Sequence, residues 1–286
     1  MIKVVVPATS ANCCIGFDCM GLAIDWVGTF TFLHSEKLQI EGCPEEYRTE
    51  ENLVVQAFRE VCDALGKELP TFHLKIDSTI PFARGLGSSA TCIVAGLMGA
   101  NAWFNDPLSK EDLLILATKM EGHPDNVAPA LFGGACVSKQ FGKKVVSRQL
   151  PIKEWGGVVI VPDIEVSTKK ARTVLPKEVS FQDAKDQVAN ALLMEVALCQ
   201  GDEFLLRECS VDHLHEPYRS SLIDSYDRIR TCCRDLELPL WISGSGSTMI
   251  VLSNESEKID QCVSLLGDLE TRRFHVAKKG AYVLYE

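Results

Sequence analysis

Between residues 72 and 98 a strand, a glycine turn and a helix follow one another, and this succession constrains the fold more than any other part of the chain. Phe72, Leu74 and Ile76 alternate with polar residues, the period of a half-buried strand. Ile80-Pro81-Phe82 then leads into Ala83-Arg84-Gly85-Leu86-Gly87-Ser88-Ser89-Ala90-Thr91, after which Ile93, Val94, Leu97 and Met98 repeat with helical spacing. Two glycines let the backbone come close to a ligand, because no Cβ stands in the way. A helix starting at the serines would turn unpaired N–H groups and the positive end of its dipole toward that ligand. Such a loop binds phosphate. It is not a Walker A loop, since no Gly-Lys-Ser/Thr follows, and it lacks the third glycine of a dinucleotide fingerprint. Taken alone, it reads equally as an ordinary glycine-rich turn with Ser88 or Ser89 as N-cap.

Three further stretches set it in context. Pro7-Ala8-Thr9-Ser10-Ala11-Asn12-Cys13-Cys14-Ile15-Gly16-Phe17-Asp18 stands near the start, Glu121-Gly122-His123-Pro124-Asp125-Asn126 in the middle, and Ser243-Gly244-Ser245-Gly246-Ser247-Thr248 near the end. Together with Pro81–Ala90, they resemble, in order and over nearly the whole chain, the motifs of the GHMP kinases, and among these the branch acting on homoserine. Two departures stand out: Cys13-Cys14-Ile15 replaces the usual Leu-Gly-Pro, and Ser247 replaces the usual Pro.

The resemblance implies an α+β fold of two domains. Residues 1–150 would form an ATP-binding domain like domain 2 of ribosomal protein S5, and residues 151–286 a ferredoxin-like domain completing the substrate site. It implies transfer of the ATP γ-phosphoryl group to the hydroxyl of L-homoserine, in threonine biosynthesis, with Mg²⁺. Asn52 and Pro81 through Thr91 would hold ATP, while Ser89 and Glu121 would hold the metal. An amino-acid substrate needs an anion for its ammonium, for which Asp18 and Asp125 serve, and a cation for its carboxylate. Arg172 and Arg219 suit the carboxylate or the moving phosphoryl, since a planar guanidinium pairs with either. Asn12, His123, Asn126 and Thr168 are left to orient the hydroxyl, and with Arg172 in place no dedicated base is expected. The alternatives are another kinase of the family, acting on a mevalonate-type or sugar alcohol, or a non-catalytic ligand sensor.

Each assignment has a plainer reading beside it. Glu121 ends a helix opened by Ser109-Lys110-Glu111-Asp112, and it reads as a solvated terminal Glu as well as a metal ligand. Asp18 could cap a turn, Asp125 could N-cap the helix after it, and Arg219 could be a surface Arg paired with Glu216. Asn52 is the expected N-cap of a helix ending at Gly66. His34, His213, His215 and His275 are read as structural.

Composition narrows the partners. Over 286 residues the formal net charge is −10, which argues against non-specific nucleic-acid binding and against an anionic membrane surface. ATP must then be met by local positive groups. No signal-peptide pattern or membrane-length apolar run occurs, so a cytoplasmic protein is expected, and a homodimer is possible. Twelve cysteines without metal or disulfide spacing are expected to be free thiols. Val4-Val5-Val6 reads as a strand closed by Pro7, and residues 22–33 as a hairpin turning at Gly28.

Overall fold

The computed structural model describes residues 1–285; Glu286, the last residue of the second expected domain, lies outside them. β1 (Ile2–Ala11) and β2 (Met20–His34) pair antiparallel along most of their length. The first two strands depart from the sequence expectation in two places. Pro7 does not close the first strand: the ladder continues, with its register shifting between Pro7 and Ala8, and such an irregularity accommodates a residue without an N–H. Nor do residues 22–33 form a hairpin, because β2 runs straight through Gly28, which pairs with Val6.

β3 (Gln39–Glu41) and β4 (Phe72–Asp77) extend this sheet on one side. Between them in sequence lies α1 (Leu53–Leu65), N-capped by the Asn52 side chain and closed by left-handed Gly66, as the sequence suggests. Next come α2 (Ser88–Trp103), α3 (Lys110–Glu121) and α4 (Val127–Phe132), then a hairpin of β5 (Ala135–Phe141) and β6 (Lys144–Gln149). α3 carries the full Ser109–Asp112 capping box. The helices bury an aromatic cluster against the sheet, with the Phe58 and Phe72 rings centred 4.7 Å apart. Burying a ring of that kind stabilises the fold by roughly 1.5–3 kcal/mol.

The rest of the chain supplies β7 (Gly156–Val161), α5 (Thr168–Thr173), α6 (Phe181–Gln200), α7 (Glu203–Cys209), α8 (Glu216–Arg219), α9 (Tyr226–Asp235), β8 (Leu240–Ile242), β9 (Met249–Leu252), α10 (Ser256–Leu265) and β10 (Glu270–His275). Strands β10-β7-β9-β8 form a second, antiparallel sheet. One of its faces packs on α9 and α10 through Ile229, Cys233, Ile259 and Cys262. The other joins Met194, Ala197 and Leu198 of α6 to Ala8, Cys13, Cys14 and Ile15 of the first motif. The two sheets thus meet through one apolar cluster, and the first motif sits on it. β11 (Tyr282–Tyr285) returns to pair with β1, so the chain's last strand belongs to the first sheet.

Candidate active site

The glycine loop leaves β4 and enters α2 as the sequence indicates, but the helix is capped differently. Its N-cap is Gly87, in the left-handed region at φ 66°, and no side chain caps it. Ser88 and Ser89 are the first helical residues, so neither serine serves as N-cap and the first-turn N–H groups are left facing outward. The glycines are required by contact as well as by φ. A Cβ on Gly85 would lie 2.1 Å from the Ser243 carbonyl, and one on Gly87 2.0 Å from Thr9 Oγ1. The motifs at either end of the chain therefore close on the loop. Thr9 N–H donates to the Leu86 carbonyl at 3.2 Å, Thr248 N–H to that of Arg84 at 3.1 Å, and Ser243 Oγ to that of Gly85 at 2.6 Å.

Glu121 ends α3 and reaches back across this loop. Ser89 Oγ donates to its Oε2 at 2.8 Å, and burial raises the carboxyl's pKa against the lowering effect of that bond. It is half-buried and partnered, not a solvated helix end.

Asp125 is 1% exposed and does not cap α4, whose N-cap is Asn126 with no side-chain capping bond. Its carboxylate instead faces His123 Nδ1 at 2.5 Å, and that bond raises the imidazole's pKa against the effect of burial. Asn126 Oδ1 accepts from Thr9 Oγ1 at 2.8 Å. Asp18, at φ 57°, is held by Arg172 through two bonds of 2.8 and 3.0 Å, and its N–H donates to Asn12 Oδ1 at 3.0 Å. Bonding to Asp18 also raises the pKa of the Arg172 guanidinium.

Arg219 is not a surface residue paired with Glu216. It is 2% exposed, and it donates to the Gly244 carbonyl at 2.8 Å and the Ala171 carbonyl at 3.3 Å. Burial, followed by the nearby Arg172 cation, lowers its pKa. Glu216 accepts from the Ile242 N–H at 2.6 Å instead. Both arginines lie over the Phe17 ring, with guanidinium carbons 5.7 Å (Arg172) and 5.1 Å (Arg219) from its centre. Phe17 in turn stacks on buried His215, whose Nε2 donates to the Cys14 carbonyl at 2.6 Å. This His–carbonyl bond, with Gln187 Nε2 donating to the Ile15 carbonyl at 2.7 Å, fixes the path of the substituted Cys13-Cys14-Ile15 loop. Ser247, at the other departure, is fully buried and donates Oγ to the Ile164 carbonyl.

These groups line one cavity of about 340 Å³. Asn12, Asp18, Ser89, Glu121, His123, Asp125, Asn126, Thr168, Arg172 and Arg219 all reach it, with the backbone of Ala83, Gly85 and Gly87 along one wall. A second, mainly apolar cavity of about 220 Å³ adjoins it, sharing Ser88 and Ser89. Asn52, Phe82 and Thr91 line this one, so Asn52 both caps α1 and faces the pocket. Pro81, Arg84, Leu86 and Ala90 line neither: Leu86 and Ala90 are core residues, and Arg84 pairs with Asp163 at 3.0 Å. Thr9, Phe17, Gly244 and Ser245 were not singled out from the sequence as site residues. Phe17 and Thr9 lie inside the first motif and Gly244 and Ser245 inside the last, which is the signal that marks them.

Two family models match the chain, one for the N-terminal domain of GHMP kinases over residues 52–134 and one for the C-terminal domain over residues 194–265. Homoserine kinase of Clostridium botulinum (strain 657 / Type Ba4) is 39% identical over 263 residues, covering 90% of this chain and 88% of that protein. The homoserine kinase of strain Eklund 17B / Type B is 41% identical over 256 residues, covering 88% and 86%. A crystal structure of homoserine kinase from Cytophaga hutchinsonii superposes with a TM-score of 0.87 at 29% identity, covering 99% of this chain and 97% of that one. A mevalonate kinase from L. major, at 18% identity and a TM-score of 0.72 over 96% and 95% of the two chains, shares the fold.

Proposed function

The chain belongs to the GHMP kinase family, and from that premise we propose that it is a homoserine kinase, transferring the ATP γ-phosphoryl group to the side-chain hydroxyl of L-homoserine. The observation that carries this reading is the pairing of charges in one cavity. Two aspartates and two arginines stand beside a phosphate-binding helix end, which suits a zwitterion brought to a triphosphate. A sugar or mevalonate-type alcohol has no ammonium to reward Asp18 and Asp125.

In this reading the adenine enters the apolar cavity by Asn52 and Phe82, and the phosphates lie along Gly85, Gly87 and the first turn of α2. Arg219 and Arg172 meet the substrate carboxylate or the moving phosphoryl. The carboxylates of Asp18 and Asp125, clustered with His123 so that their ligating atoms lie within 4.8 Å of one another, meet the ammonium. Asn12, Asn126 and Thr168 orient the hydroxyl. Asp18 and Asp125 hold the ammonium in this reading, so neither is left to take the hydroxyl proton. A loose phosphoryl transition state asks little of a base, and positioning with electrostatic stabilisation suffices.

The donor set of Ser89 and Glu121, a hydroxyl and a carboxylate 2.8 Å apart beside the phosphate loop, fits Mg²⁺, which takes few protein oxygens. When bound, the ion supplies charge neutralisation on the phosphates. Residues 1–150 act in this reading as the ATP-binding domain, and residues 151–286 complete the substrate site. Among the described residues no helix is long and apolar enough to cross a membrane, and we assign the protein to the cytoplasm. An ADP-release assay across homoserine, mevalonate, galactose and serine tests the proposal: turnover with homoserine above the other three is expected, and preference for mevalonate or galactose overturns it.

A further inference from the structure

The first-motif loop takes a costly backbone path. Asn12, Cys13, Cys14 and Asp18 stand in the left-handed region, at φ 69°, 42°, 65° and 57°, and none of them is a glycine. Residues held this way persist where the surrounding structure over-determines them. Cys14 stands where the usual motif has Gly, and Ile15 where it has Pro. The chain thus lacks both the residue that tolerates this region and the one that stiffens the turn. The ends of the loop must still be placed closely, because Asn12 and Asp18 both line the cavity.

We infer that His215 and Gln187 are positioning residues of the substrate site, holding the Cys14 and Ile15 carbonyls and so setting where Asn12 and Asp18 stand. Neither lines the cavity, so both act through the loop. His215 is fully buried, and its bond to the Cys14 carbonyl, at 2.6 Å, places the ring proton on Nε2, since a carbonyl only accepts. Gln187, 6% exposed, donates Nε2 to the Ile15 carbonyl at 2.7 Å. Its Oε1 accepts from the His213 N–H at 2.8 Å, so the amide cannot turn over. Asp212 fixes both donors: Oδ1 accepts from Gln187 Nε2 at 2.8 Å, and Oδ2 from the His215 N–H at 2.7 Å. The His215 ring also stacks on Phe17, the neighbour of Asp18, and His215 is the N-cap of α8, which ends at Arg219. One histidine therefore ties together the strained loop, the ring that both guanidiniums lie over, and the helix carrying the buried cation.

This inference rests on the proposed substrate site, and steady-state kinetics with ATP and homoserine test it. His215→Phe and His215→Gln are compared, each alone and together with Cys14→Gly and Ile15→Pro. Phe keeps a ring against Phe17 but leaves the Cys14 carbonyl without its donor, whereas Gln sets an amide N–H near the place of Nε2. His215→Phe should raise KM for homoserine at least ~10-fold and KM for ATP less than ~2-fold, because the loop meets the acceptor and not the nucleotide. His215→Gln should recover most of that loss. In the doubly substituted loop, which needs less holding, His215→Phe should cost ~3-fold or less. Should His215→Phe not fold, Gln187→Met, which removes the donor to Ile15, carries the same comparison between loops. Equal losses for both substrates, no recovery with His215→Gln, or the same loss in both loops overturns the inference. A wild type that prefers another alcohol tells against the proposed substrate instead, and the variants are then compared on that alcohol, since Asn12 and Asp18 line the cavity in either case.

Discussion

Arg172 grips Asp18 with both ends of its guanidinium, Nη2 to Oδ1 at 2.8 Å and Nη1 to Oδ2 at 3.0 Å, across 154 positions of sequence. The two residues assigned to opposite charges of the substrate therefore hold each other. Both are more than a third exposed, so the pair adds little to stability, where solvent screens it. Its consequence is kinetic coupling. Asp18→Asn and Arg172→Ala should each lower kcat/KM by ~10²-fold or more, while the double variant loses less than the product of the two. Multiplicative losses would show that the residues act independently.

Ser89 and Glu121 offer a second test. If the two hold Mg²⁺ as proposed, removing either oxygen should cost ~10²-fold or more in kcat. Ser89→Ala and Glu121→Gln should also raise the Mg²⁺ concentration needed for half-maximal rate and leave the melting temperature near that of wild type. Unchanged Mg²⁺ dependence in Glu121→Gln would remove that residue from the metal site.

Much of this site was legible from the sequence because its parts are local. The loop glycines, the Ser109 capping box and the Asn52 cap each depend on residues within a few positions of one another. What the sequence did not carry is the long-range closure. Thr9 crowds Gly87, the N-cap of α2, and Ser243 crowds Gly85, and nothing between residues 80 and 95 records those neighbours. Pro7 reads as a strand end in the sequence, whereas the register shift beside it keeps the ladder going. Phe17 reads as one more apolar residue until the fold sets two arginines over one ring. Asp125 and Arg219, expected at the substrate site, both line the cavity. Their plainer readings fell only when the fold supplied His123 to one and the Gly244 carbonyl to the other.

Glu216 predicts a pH dependence of stability. Burial pushes its carboxyl from the ordinary 4.5 up to about 8, since the charged form is costly at that site. A carboxyl raised in the folded state contributes its stability fully below pH 4.5 and loses it as pH rises to about 8. Glu216→Gln keeps an acceptor for the Ile242 N–H but cannot ionise. It should match wild type near pH 4.5 and become the more stable protein, by up to a few kcal/mol, toward pH 8. Melting curves across that range check it, and parallel profiles would show that Glu216 is not the group responsible.

The proposed pocket needs both charges of its substrate. Losing one partner of a desolvated pair costs about 2–5 kcal/mol, because the other charge is left buried and unpaired. The deciding measurement is kcat/KM for homoserine, its lactone and 4-hydroxybutyrate, with wild type and Arg219→Ala. Wild type should favour homoserine over both analogues by roughly thirty-fold or more. Arg219→Ala should narrow the gap between homoserine and the lactone, because it removes the buried cation that rewards a free carboxylate. Equal use of 4-hydroxybutyrate and homoserine by wild type would contradict the amino-acid pocket.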